Sequence, residues 1–155
     1  MSRRTTRLVA AALGCTALAV VLTACDKPTP SITVYNGRTS VKVSSAKYCF
    51  DGNANTCRTS TAVGRLSATV GSTIVVDVPR DIANNHWAVT SFVKDDSGRP
   101  TTIDSSSSPV VSKTHSVRVL VPQATSGSYQ IAVQSFTGTK ATGEWDIEVR
   151  LASTA

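Results

Sequence analysis

Four cysteines hold most of the reactive chemistry in this 155-residue sequence. One of them, Cys25, ends the run Leu22-Thr23-Ala24-Cys25, directly after an uncharged apolar stretch. An apolar residue three places before a cysteine, with small residues between, is the lipobox of bacterial lipoprotein precursors. A peptidase cuts such a site between Ala24 and Cys25, and the cysteine sulfur carries a thioether-linked diacylglyceryl group, with an N-acyl chain as an optional addition. Each buried methylene contributes about 0.8 kcal/mol, so one acyl chain binds a membrane only marginally, whereas two hold it stably. Cys15 follows Ala12-Leu13-Gly14 and competes for the role, but it would leave an apolar core of only residues 8–14. Cys25 is therefore the expected lipidation site. Cys49 and Cys57 then remain as a pair in an exported, oxidising setting, where a disulfide is the natural assignment.

The other reactive side chains point away from catalysis. Ser44-Ser45-Ala46-Lys47 matches a Ser-x-x-Lys nucleophile motif, as does Ser91 with Lys94. Both matches fall in or beside expected strands, whereas that chemistry needs the serine at a helix start with companion Ser-Asp-Asn and Lys-Thr-Gly elements, and a lipase-type Gly-x-Ser-x-Gly elbow is missing as well. Asp51, Asn53 and Asn55 open like a calcium loop. Thr56 stands where that loop needs glycine and Ala62 where it needs a bidentate glutamate, so plain turn formation is the better reading. His86 and His115, the only histidines, lack the spacing of a metal site. No enzyme activity, resident metal or dissociable cofactor is expected.

These residues sit in a chain with a clear division. Arg3, Arg4 and Arg7 precede an apolar run over residues 8–22. That run is short for a spanning helix, which needs about 20 residues, and suits a signal-peptide core. Residues 1–24 are read as a cleaved lipoprotein signal peptide, residues 25–31 as the lipidated cysteine with a Pro-rich tether, and residues 32–152 as one domain. Lys27-Pro28-Thr29-Pro30 favours an extended tether of about 3 Å per residue. Without the three signal arginines the formal charge falls from +6 to +3 (6 − 3). The remaining bases are spread among acids, unlike the dense basic stripe of a nucleic-acid binder, so no nucleic-acid partner is expected.

Composition sets the fold class. Residues 25–155 contain 17 Val and 6 Ile against three Leu, and 36 Ser or Thr. β-branched side chains suit strands and resist helices. Asn36-Gly37 predicts a two-residue hairpin turn, with Ile32 opposite Val41, Val34 opposite Thr39, and Tyr35, Arg38 and Lys42 on the outer face. Residues 63–78 read as two strands around Gly71-Ser72, and a short turn or a single helical turn is expected over 80–85. Trp87, Val89, Ser91 and Val93 share a strand face, residues 101–104 form a weak strand, and the serines at 105–108 before Pro109 read as an exposed loop. Val117, Val119 and Val121 alternate, as do Tyr129, Ile131 and Val133. In the last strand Trp145, Ile147, Val149 and Leu151 alternate with Glu144, Asp146, Glu148 and Arg150, charges that would guard a sheet edge. About seven to nine short antiparallel strands at this spacing predict an all-β, immunoglobulin-like β-sandwich. Trp87 would lie on a central strand and Tyr129 at the position of a tyrosine corner.

The order of Ile32-Thr33-Val34-Tyr35, Tyr48-Cys49 with Cys57, Ile82 to Trp87 after a strand ending in Pro79, and Gly143-Glu144-Trp145 resembles a family of small uncharacterised actinobacterial lipoproteins. That resemblance implies a single extracytoplasmic domain anchored on the outer face of the cytoplasmic membrane, and it supplies no catalytic residues. The expected role is a non-catalytic binding or interaction module facing a protein or cell-wall component. The alternative is an accessory or structural subunit of an envelope transporter, sensor or wall complex. Cys25→Ala should leave an unprocessed precursor without lipid; normal detergent-phase partitioning of this variant would refute the anchor.

Overall fold

The computed structural model describes residues 27–94, 97–123 and 127–152. Leu22, Thr23, Ala24, Cys25 and Cys15 lie outside the described residues. The first six strands are β1 (Ser31–Tyr35), β2 (Ser40–Ser44), β3 (Lys47–Cys49), β4 (Cys57–Thr59), β5 (Val63–Thr69) and β6 (Thr73–Asp77), with alternating apolar residues in β1, β2, β5 and β6. One helical turn, α1 (Arg80–Ala83), follows Pro79. Its missing N–H and fixed φ make proline suitable at a helix start. Then come β7 (His86–Lys94), β8 (Pro100–Thr102), β9 (Val111–Ser112), β10 (Ser116–Leu120), β11 (Ser128–Thr137) and β12 (Lys140–Ala152).

Two sheets face each other across an apolar core, giving an all-β sandwich. The first runs β10-β6-β1-β2 and the second β4-β3-β12-β11-β7-β8. Ile32, Val34, Ile74 and Val76 from the first sheet meet Trp87, Val89, Ile131, Val133, Trp145 and Ile147 from the second, each at most 1% exposed. Burying each branched side chain contributes about 1.5–3 kcal/mol relative to leaving it in water. In the second sheet β11 lies between β12 and β7, and Trp87 is buried on β7, an inner strand as expected, with Tyr129 at the start of β11.

Several local expectations are corrected. The first hairpin pairs Ile32 with Val43 and Val34 with Val41, around a four-residue connection. Asn36 explains the shift: its Oδ1 accepts the backbone N–H groups of Arg38 (3.0 Å) and Thr39 (2.9 Å). A displacement of two residues leaves each side chain on its expected face. The weak strand expected at 101–104 is β8, and the strands beyond those expected are two- or three-residue pieces at the sheet margins, β3, β4 and β9. Not all pairing is antiparallel, because β5 runs parallel to β12 from Val63↔Asp146 to Ala68↔Leu151. Consequently β12 is an inner strand, with β11 on one side and β3 and β5 on the other. Its charges line a sheet face rather than guard an edge.

The serine-rich segment is likewise no exposed loop. Between β8 and β9 it runs along β7 and completes that strand's hydrogen bonding: Ser108 Oγ accepts the Val89 N–H and Ser107 Oγ accepts the Ser91 N–H, both at 3.0 Å. In return the Ser108 N–H donates to the Val89 carbonyl at 2.8 Å, and the buried Ser91 hydroxyl donates to the Ser106 carbonyl. Hydroxyls thus satisfy strand groups that would otherwise be costly to bury.

Tyr129 occupies the corner position without the corner's hydrogen bond. Its ring is 1% exposed, and its hydroxyl has no partner among the described residues. Burial pushes the phenol pKa far up. A buried polar group without a partner costs about 1–3 kcal/mol. Tyr129→Phe should accordingly raise stability by about 1 kcal/mol in urea unfolding, and a comparable loss would show that the hydroxyl has a partner.

Candidate functional site

The residues singled out in the sequence go to different places. Cys49 and Cys57 face each other across the β3–β4 pair and form a disulfide, with Cα atoms 3.8 Å apart. Ser91 is buried and its hydroxyl is committed to Ser106, and Ser44 ends a strand rather than starting a helix. In the stapled loop, Asn53 Oδ1 accepts the Asn55 N–H (2.9 Å), and Thr56 Oγ1 donates to the Phe50 carbonyl (2.7 Å). This is turn chemistry. His86 and His115 are exposed at separate positions, and the described residues contain no group of three or more His, Cys, Asp or Glu that could hold a metal ion.

What the fold does assemble is a cleft of about 470 Å³ at the end where the N-terminal segment enters β1. Three structural units wall it. The stapled hairpin contributes Tyr48 and Asp51, the segment from α1 onward contributes Asp81, Asn84 and Asn85, and the end of β11, at its connection to β12, contributes Thr137. Gly52 lets the hairpin approach that connection: its φ is +68°, and a Cβ there would lie 3.3 Å from Thr137. A second groove of about 590 Å³ continues beneath residues 27–31 and reaches Lys42 and Pro79, sharing Lys27, Tyr48 and Asp81 with the first.

Aromatic packing holds the cleft's central wall. The Tyr48 ring lies edge-on to Phe50 at 5.2 Å and 6.0 Å from Trp145. Trp145 is fully buried and donates from Nε1 to the Pro30 carbonyl at 3.0 Å, fixing the entering chain against β12. Gly143 makes room for this indole, since a Cβ would come within 2.6 Å of the Trp145 ring. Lys27 Nζ and the Arg58 guanidinium lie 5.8 and 5.5 Å from the centre of the Phe50 ring, within cation–π range.

The Tyr48 phenol is shifted further from ionisation. Burial first, then the negative charges of Asp81 and Asp51, push its pKa up. Asn85 Nδ2 donates to the Asp81 carbonyl at 2.9 Å, which orients the amide. Sequence reading reached Lys42 as an outward polar residue and missed Tyr48, Asp81, Asn84 and Asn85 as one surface. They are spread over nearly forty positions, and the only local signal was the Asn-rich turn chemistry.

A family model matches residues 25–135, most of the chain. The chain belongs to the family described as protein of unknown function (DUF2771). The match starts at Cys25 and ends within β11, so it takes in the hairpin and α1 walls of the cleft but not β12. No curated protein matches the chain.

The staple matters for the cleft as well as for stability. Cross-linking residues eight apart removes chain entropy from the unfolded state worth about 2.5 kcal/mol. Cys49→Ser with Cys57→Ser should lower stability by about that amount. Equal urea midpoints for this variant and the parent would show that the staple contributes nothing.

Proposed function

We propose that this chain is a lipid-anchored, extracytoplasmic binding module of an actinobacterial envelope, non-catalytic, with the cleft as its contact surface. The lipobox at Cys25 and the lipoprotein resemblance support the anchor and, with it, a position on the outer face of the cytoplasmic membrane. The cleft carries the binding assignment, because a concave surface with convergent polar groups is what a ligand-binding module needs.

An obligate subunit of a larger envelope complex would instead show a contiguous apolar patch of several hundred Å². Among the described residues the large exposed apolar side chains are Val63, Val110 and Leu120, on three separate segments. That distribution favours the module over the accessory subunit.

Co-sedimentation tests the module reading. Lipidated protein in detergent micelles should pellet with detergent-washed cell wall, and Asp81→Asn combined with Asn84→Ala should reduce the bound fraction severalfold. Neither side chain makes a hydrogen bond within the described residues, so circular dichroism should show an unchanged fold. Equal binding by both proteins, or none by either, would overturn the cleft as the contact surface.

A further inference from the structure

The cleft's hydrogen-bonding inventory narrows its ligand. Asp51 and Asp81 only accept, Lys27 only donates, and the Asn84 and Asn85 amides do both. The Tyr48 hydroxyl both donates and accepts, and burial and two nearby carboxylates push its pKa above the ordinary phenol value. Thr137 adds a further hydroxyl at the rim. A small anion would use only the donors while facing two carboxylates against one ammonium. A diamine would use only the acceptors while facing Lys27. A molecule whose every polar group both donates and accepts can engage the whole set.

On that ground we propose that the cleft binds a neutral polyhydroxylated ligand, a saccharide, with the carboxylates and Asn amides taking its hydroxyls in charge-assisted and bidentate hydrogen bonds. The Tyr48 ring, braced by Phe50 and Trp145, offers an apolar edge for the sugar's C–H groups. The disulfide and the oriented Asn85 amide fix two of the walls, so little ordering entropy is lost on binding. This inference rests on the reading of the cleft as the contact surface. The same hydroxyl chemistry is offered by a wall polysaccharide and by a glycolipid headgroup, and the cleft's place beside the entering chain puts both within reach.

The test is a titration of the full-length lipidated protein in detergent micelles, followed by the side-chain amide NMR signals of Asn84 and Asn85. Maltotetraose and tetra-N-acetylchitotetraose represent free saccharide, digalactosyl diacylglycerol in the same micelles represents the lipid-borne source, and inorganic phosphate and putrescine represent the excluded classes. At least one saccharide probe should saturate these signals, and the Asp81→Asn, Asn84→Ala protein, read through Asn85, should bind it about tenfold more weakly, as expected for losing hydrogen bonds to charged groups. Binding confined to the lipid probe would assign the glycolipid source, and binding of the free tetrasaccharides would assign the polysaccharide. Saturation by phosphate or putrescine in place of saccharide, saccharide binding unchanged in the variant, or no binding of any probe would overturn the proposal. If wall co-sedimentation still depends on the cleft in those cases, only the ligand class falls; if it does not, the cleft reading falls with it.

Discussion

The indole of Trp145 fixes the end of the molecule on which the cleft depends. It is buried between the sheets, bonded through Nε1 to the carbonyl of Pro30, and in contact with the Tyr48 ring. One side chain on the last strand thereby holds both the chain's entry into β1, at Pro30, 115 positions away, and the base of the stapled hairpin. The arrangement needs Gly143 two residues earlier, because neighbouring side chains on the same strand face would otherwise compete for the space that the ring fills. It also explains in physical terms why Gly143-Glu144-Trp145 stands out in the sequence.

The cleft follows from that anchoring. With Tyr48 held by Trp145 and Phe50, the hairpin must turn back towards α1, and the disulfide keeps its two short strands from fraying. Strands of three residues have little stability of their own, so the covalent link substitutes for the pairing they lack. On the proposed reading, the few residues between Cys25 and β1 leave the cleft close to the bilayer surface. A ligand would then be met at the membrane's outer face rather than far above it.

Elsewhere the fold treats its polar groups in three different ways. Parallel pairing of β5 with β12 gives the second sheet a covered flank, serine hydroxyls complete the ladder of β7, and Tyr129 leaves one buried hydroxyl without a partner among the described residues. The first two are forms of edge protection that a run of polar residues does not advertise. The third is a local cost, tolerated because the aromatic ring contributes far more by its burial than the hydroxyl forfeits.

Much of this architecture is written in local patterns. Alternation of Val and Ile with polar residues fixes strand identity and face, as in Ile32 and Val34 or Trp145 through Val149, because side chains alternate across a strand whatever its partner. The cysteine spacing likewise defines the stapled loop, and Pro79 marks the start of α1. Partner, register and direction are not local quantities. Asn36 moved the first hairpin by two residues through side-chain bonds that outcompete the two-residue turn, β12 became an inner strand because a distant segment added itself in parallel, and serines that read as loop became a strand's missing neighbours. Only tertiary packing brought Tyr48 into one surface with Asp81, Asn84 and Asn85, since the stapled hairpin places the first and the segment from α1 onward places the other three. The sequence by itself therefore determined the class of fold, its buried faces and the staple, whereas the cleft was decided by long-range contacts that no periodicity encodes.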